Sequence, residues 1–328
     1  MTDRKTFEEL MERSRKDQEN FKKSIPAKVF FNHFDAASLK ISNNEEKYFL
    51  KNKAFYNTLK IKNKQFDIDK CKKLLWNCWS TENAFSIAIP DDSFYKFALH
   101  WHFPQVYYSI YLAMTAFHET QGVANENHEK TIKIFGNSIK NNHYPDCISY
   151  YSKGLYKEFN YHGIEHPDST GFSALAGVKS SEDIELQIKS FLKSTRVQNA
   201  ENKRKRGEKE FSKRAEFQNK EGELVKSFQK KHWNLIYSTI PETTILNLLY
   251  RLRIKANYHD IETFINADLD FKLFHQKLGE ILSYLNFIHE AYFCKAVGKE
   301  LYEDVLEGFG GHIFEDKALA RYEIIKSI

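Results

Sequence analysis

The chain has 328 residues, 41% hydrophobic and 15% aromatic, which is enough apolar side chain for a full core and excludes a disordered chain. With only 13 Gly and 6 Pro, its composition suits helices and argues against a turn-rich sandwich or barrel. The formal net charge is +5, yet residues 196–231 alone hold twelve Lys or Arg against six Glu, so the rest of the chain is close to neutral.

Residues 1 to about 24 read as a charged helix or frayed arm, without the apolar run of a leader peptide. Pro26, the apolar run KVFFNHF and a stretch rich in Lys and Asn follow with weak periodicity, so residues 1–65 are expected to form an N-terminal extension. From Phe66 the pattern sharpens: Asp67 or Asp69 is placed to cap a helix, with Leu74, Leu75, Cys78 and Trp79 on one stripe. After IPDDS, the residues Tyr107, Ile110, Tyr111, Met114 and Phe117 keep a 3.6-residue period, with Pro104 expected in the first turn and Gly122 as the stop.

A shorter helix is expected from about Asn127 to Lys140. Residues 146–181, rich in Tyr, Gly, His and Ser, read as an elaborated loop with short strands, and Ser180 or Ser181 caps the helix that follows. The basic stretch comes next, interrupted by Gly207 and Gly222; such a stripe either binds phosphates or is a solvated face laced with Glu-Lys pairs. Two further helices close the chain, the second striped by Phe271, Phe274, Leu278, Ile281, Leu282, Leu285 and Ile288. The fold class expected is therefore mainly α.

Cys71, Cys78, Cys147 and Cys294 form no CxxC pair, so neither structural zinc nor a disulfide framework is expected, and Cys71 and Cys78, seven apart on one helix face, are assigned to the core. No window approaches 18 consecutive apolar residues, so no membrane span is expected, and the chain is placed in the reducing cytoplasm. GFSALAGVKS lacks the spacing of a phosphate loop, FGGH follows no strand, and GxSxG and HExxH are missing; no cofactor is expected. His162, His166 and Asp168 have a chelating spacing, but Gly163 and Pro167 interrupt it, so no metal is expected. His100 and His102 alternate with aromatics and are assigned to packing.

The segment YRLRIKANYHD, Tyr250 to Asp260, concentrates polar chemistry on a helix. Its buried stripe is expected to be Ile245, Leu248, Leu249, Leu252 and Ala256, leaving Arg251 with Lys255 on one flank and Arg253 with Asn257 on the other. His259 stands about 120° around an ideal helix from Arg253, so the two converge only if the helix bends or ends there, or if a partner subunit completes the site. An arginine and a histidine together can cleave RNA without metal: the imidazole moves the ribose 2′-OH proton and the guanidinium holds the phosphate. The plainer alternative is a solvated helix end with His259 partly buried.

HFPQVYYSIYLAMTAFHETQGVANENHEKTIKIFG, with its paired tyrosines, glycine and following histidine, resembles the central helices of HEPN domains, and RLRIKANYHD resembles a later helix of the same family. The resemblance implies a HEPN-like helical bundle, usually dimeric, split into residues 66–145 and 240–328 with a C-terminal tail, around an insertion at 146–239. It also implies a metal-independent endoribonuclease of a bacterial defence or toxin system, with Arg253 and His259 as the catalytic pair. In that reading Asn257, Tyr258, Arg251 and Lys255 position the substrate, and Lys203, Arg204, Lys205, Arg206 and Lys209 bind RNA, transfer RNA included. A homodimer and a partner protein from the same operon are the expected associations. The alternative from the same resemblance is a non-catalytic module that binds a nucleotide, a nucleic acid or a partner.

Overall fold

The computed structural model describes residues 2–87, 92–123, 127–165, 169–258, 264, 267–309 and 316–328, with side chains described for all of these except 2–10, 17, 20, 92, 257, 258 and 316. In chain order the elements are α1 (Thr2–Ser42), α2 (Ala54–Asn57), α3 (Ile68–Ser86), α4 (Asp92–Thr120), α5 (His128–Lys140), β1 (Tyr151–Leu155), β2 (Glu158–His162), α6 (Ser181–Arg206), α7 (Glu208–Phe211), α8 (Lys230–Tyr237), α9 (Ile245–Tyr258), α10 (Phe271–Val297), α11 (Lys299–Phe309) and α12 (Asp316–Ser327). Among the described residues the chain is thus mainly α, with one two-stranded antiparallel sheet.

The caps are local and legible. Asp67, Asn127, Ser180 and Asp270 each accept the backbone N–H three residues on, at 2.8–3.1 Å, and so start α3, α5, α6 and α10. Gly122 takes φ +70 just after α4, where the Val123 N–H returns to the His118 carbonyl at 3.1 Å.

Two prolines depart from expectation. Pro26 lies inside α1 and does not end it, and Pro104 lies twelve residues into α4, outside its first turn. An interior proline costs about 3 kcal/mol, whereas each large apolar side chain buried returns about 1.5–3 kcal/mol. Beyond Pro26 the helix buries Ala27, Phe30, Phe34, Ala36, Ala37 and Ile41, and around Pro104 it buries Phe103, Val106 and Tyr107, so packing outweighs the lost hydrogen bond.

Helix α10 is the central element: every side chain from Ile281 to Cys294 except Ser283 is buried, as befits a helix enclosed on all sides. It packs against α4, α1, α3, α11 and α12, while α4 also packs against α3 and α9. One continuous core runs from Ala27 to Ile325 and takes in Ile184, Ile188, Phe191 and Leu192 of α6. Residues 146–239 add a small core of their own, Ala200, Phe211, Phe217, Ile236 and Tyr237.

Charge is buried at the heart of this packing. The Arg321 guanidinium donates to Glu82 at 2.8 Å and to both carboxylate oxygens of Glu290 at 2.7 and 3.1 Å. Trp79 Nε1 and the Tyr302 hydroxyl donate to Glu290, and Asn286 donates to Glu82. One cation faces two carboxylates, and burial pushes the Glu290 carboxyl up against the pull of Arg321. Removing one partner of such a network costs about 3–5 kcal/mol. Arg321→Met should therefore lower urea-unfolding stability by that amount, and a loss below about 1 kcal/mol would show the network to be dispensable.

Four histidines are neutral because they are buried. His33, with neither ring nitrogen hydrogen-bonded among the described residues, is pushed down to about 3 by burial and then by Arg251; burial is also the main cause for His289 at about 3, His102 at about 3 and His275 at about 4. The unfolded chain binds these protons first, so their contribution to stability is fully present above about pH 6.5 and is lost as pH falls, at about 1.4 kcal/mol per unit per histidine. Urea midpoints at pH 7 and pH 5 should show the loss, and His33→Leu should shrink the difference by about 2 kcal/mol.

Candidate functional site

Helix α9 is built by the stripe the sequence predicts: Ile245, Leu248, Leu249 and Leu252 are fully buried and Ala256 nearly so. Its start is tied by Asn247, whose Oδ1 accepts from the Thr244 N–H at 2.8 Å. With that face buried, the two polar flanks meet different neighbours.

Arg251 and Lys255 turn toward α1 and α6. The Arg251 guanidinium lies 5.5 Å from the Phe30 ring centre and donates to Ser194 at 3.4 Å, and Lys255 Nζ lies 5.5 Å from the same ring. Burial lowers the Arg251 pKa, with Glu201 countering it. Both cations lean on an aromatic face at the junction of three helices.

Arg253 turns the other way, toward α4 and α5. Its guanidinium donates to the Tyr108 hydroxyl and lies 4.8 Å from the Tyr108 ring centre, 5.6 Å from Tyr250 and 5.8 Å from Tyr107. Its Nε is buried with no hydrogen-bond partner among the described residues.

His128 completes this cluster as the first residue of α5, held by the Asn127 cap. Its Nδ1 is 3.0 Å from the Tyr107 hydroxyl, and its ring is 4.7 Å from Tyr111 and 5.7 Å from Tyr250. Burial, and then the Arg253 charge, lower its pKa, so the ring is neutral at pH 7. Tyr107 occupies one ring nitrogen, leaving Nε2 as the one able to exchange a proton with a ligand. In the sequence His128 figured only as the histidine that follows the paired tyrosines and Gly122 in the resemblance, with no catalytic role assigned to it.

The basic end of α6 lies beside this cluster. Arg206 Nη1 pairs with Glu129, the neighbour of His128, at 2.7 Å. Lys203, Arg204, Lys205, Arg206 and Lys209 are all exposed, and Arg204 lies over the Phe228 and Trp233 rings at 5.1 and 5.9 Å. The tertiary structure thus joins two features far apart in sequence, the basic run and Arg253.

The remaining sequence assignments fall as follows. His259, His166 and Asp168 lie outside the described residues, as do the side chains of Asn257 and Tyr258. Arg251 and Lys255 share α9 with Arg253 but stand on the opposite flank. His162 stacks on Tyr151 at 4.6 Å, and His102 is buried with Nδ1 3.2 Å from His275 Nδ1. All four cysteines are free and buried, with thiols pushed up to about 11 or beyond, chiefly by burial, so none is a ready nucleophile. Among the described residues no helix is long and apolar enough to cross a membrane.

No family model matches the chain, and neither a curated protein nor a solved structure does. The residues themselves therefore carry the functional argument. One consequence is measurable directly: in a histidine-resolved NMR titration His128 should titrate below 6.5, and Arg253→Gln should raise that value while burial keeps it depressed. An unchanged midpoint would place the Arg253 charge out of reach of the ring.

Proposed function

We propose that the chain is a metal-independent endoribonuclease of HEPN type, a cytoplasmic effector of a bacterial defence or toxin system that cuts RNA, transfer RNA included. The observation that supports it best is that Arg253, Tyr108 and neutral His128 meet on one half-buried polar face, beside the exposed basic end of α6. A half-buried guanidinium next to a neutral imidazole suits a phosphate and its neighbouring ribose hydroxyl.

In this reading Arg253 holds the scissile phosphate. Tyr108, which accepts the arginine hydrogen bond, keeps its own proton to donate to a phosphate oxygen. A histidine removes the 2′-OH proton, the 2′-oxygen attacks phosphorus, and the bond from phosphorus to the 5′-oxygen breaks as that oxygen is protonated. The products are a 2′,3′-cyclic phosphate and a 5′-hydroxyl. His128 stands beside Arg253 for the first proton transfer, and His259, six residues beyond the arginine in sequence, is assigned to the second. Lys203, Arg204, Lys205, Arg206 and Lys209 neutralise neighbouring phosphates, a homodimer presents two such faces, and a partner from the same operon controls the activity.

A second reading, a non-catalytic nucleotide- or partner-binding module, is favoured by the enclosure of Arg253 between three tyrosine rings, which suits recognition as well as chemistry. Incubation of the protein with total and transfer RNA in EDTA separates the two. The nuclease should leave cyclic phosphate ends, and Arg253→Ala, His128→Ala and His259→Ala should each slow cleavage about 10²–10⁴-fold without loss of fold. RNA bound but intact would select the binding module, and a wild-type rate in either histidine variant would remove that histidine from the mechanism.

A further inference from the structure

The β1–β2 hairpin carries a second electropositive place, apart from the Arg253 cluster. Its register sets Lys153 opposite Asn160 and Tyr151 opposite His162, so these side chains share one side of the hairpin. Tyr161, one residue along, turns to the other side, where Lys189 of α6 lies 5.8 Å over its ring. Around β2, Lys153, Phe159, Asn160, Tyr161, His162 and Lys189 line a groove of about 480 Å³. That volume is within the range of about 300–1,000 Å³ usual for small-ligand sites.

The lining chemistry is specific. It offers two ammonium groups, an imidazole, an amide and two half-buried aromatic rings, with no carboxylate among them. Glu158, the acid of the hairpin strands, is drawn off by Lys230 at 2.5 Å. The His162 ring is fixed by stacking on Tyr151, 4.6 Å away and 13° from parallel. Beneath the hairpin, the buried Arg196 donates to the Gly154 carbonyl at 2.8 Å, adding a fixed positive charge to the same side of the molecule. Cations interleaved with partly exposed aromatic faces are what a phosphate with its stacked base requires.

The groove shares helix α6 with the basic run. Lys189 and Lys203 stand on the same helix about 21 Å apart, and fourteen residues return an α-helix to within about 40° of its starting face.

We propose that this groove is a distal subsite for single-stranded RNA, with Lys153 and Lys189 contacting phosphates from either side of β2 and a base stacking on Tyr161 or Phe159. The proposal rests on the RNA reading given above and adds to it a second contact and a preference for unpaired, extended strands. The exposed amide of Asn160 supplies a polar group in the same groove.

Fluorescence anisotropy with a labelled single-stranded oligouridine tests it, with polyglutamate as competitor. The double variant Lys153→Glu with Lys189→Glu changes only partly exposed side chains and should weaken binding at least about tenfold, with a shallower salt dependence. Tyr161→Ala should weaken it about tenfold through lost stacking, and a circular dichroism melt checks that each variant is folded. Unchanged affinity in both groove variants, with loss in Arg253→Ala, would overturn the subsite and leave the Arg253 reading standing. Loss in the groove variants alone would support the subsite and remove Arg253 from binding. Displacement of the RNA by polyglutamate as readily as by unlabelled RNA would reassign the groove to an acidic protein segment and overturn the proposal, and a wild-type protein that binds no RNA would overturn both readings.

Discussion

Everything in the fold leans on a buried charge cluster. Glu290 sits in the stretch Tyr284–Cys294 of α10, where every side chain is buried, and Arg321 joins it to Glu82 of α3. Two carboxylates can stay in such a place because Arg321 reaches them from α12 with each of its three nitrogens donating to a carboxylate oxygen. The end of the chain is thereby locked to its centre. Since α10 and α3 are also the main supports of α4, the same cluster sets where the Tyr107–Tyr108 turn of α4 can lie.

A second buried cation does comparable work on the other side of the molecule, with a different solution. Arg196 is 2% exposed and makes no ion pair among the described residues; it donates instead to the carbonyls of Pro241 and Gly154 at 2.9 and 2.8 Å and to Thr243 Oγ1 at 3.3 Å. Burial lowers its pKa to about 10, which still leaves it charged at neutral pH. Carbonyl dipoles from the hairpin and from the segment before α9 converge on it, so one side chain of α6 ties the segment 146–239 to the helix that bears Arg253. The Ser152–Thr243 backbone bridge reinforces the same junction.

These two anchors leave α9 held along its apolar stripe with its flanks free to specialise. Arg251 and Lys255 cover Phe30 where α1, α6 and α9 meet, a packing role in which their stems and faces matter as much as their charge. Arg253, two residues on, faces a ring of tyrosines and an imidazole that its own charge helps keep neutral. A helix turn of about 100° per residue is enough to separate a structural cation from a chemical one.

The helical class, a cap at Asp67 or Asp69 and at Ser180 or Ser181, a helix start near Asn127, the stop at Gly122 and the buried stripe of α9 were legible in the sequence, because each depends on neighbours within about one turn or on a period of 3.6 residues. The same local reading misjudged Pro26 and Pro104, since it weighs a lost hydrogen bond but not the side chains that long-range packing buries around it. It named Arg253 and the basic run separately and gave His128 no role, because the value of that histidine lies in being next to Tyr107 and Arg253. What the sequence alone determined is the set of helices and which face of each is apolar. Which cation meets a tyrosine cluster, which meets a phenylalanine and which meets buried carboxylates was decided by tertiary packing, because those partners lie tens to hundreds of residues away and no local pattern encodes the distance between them.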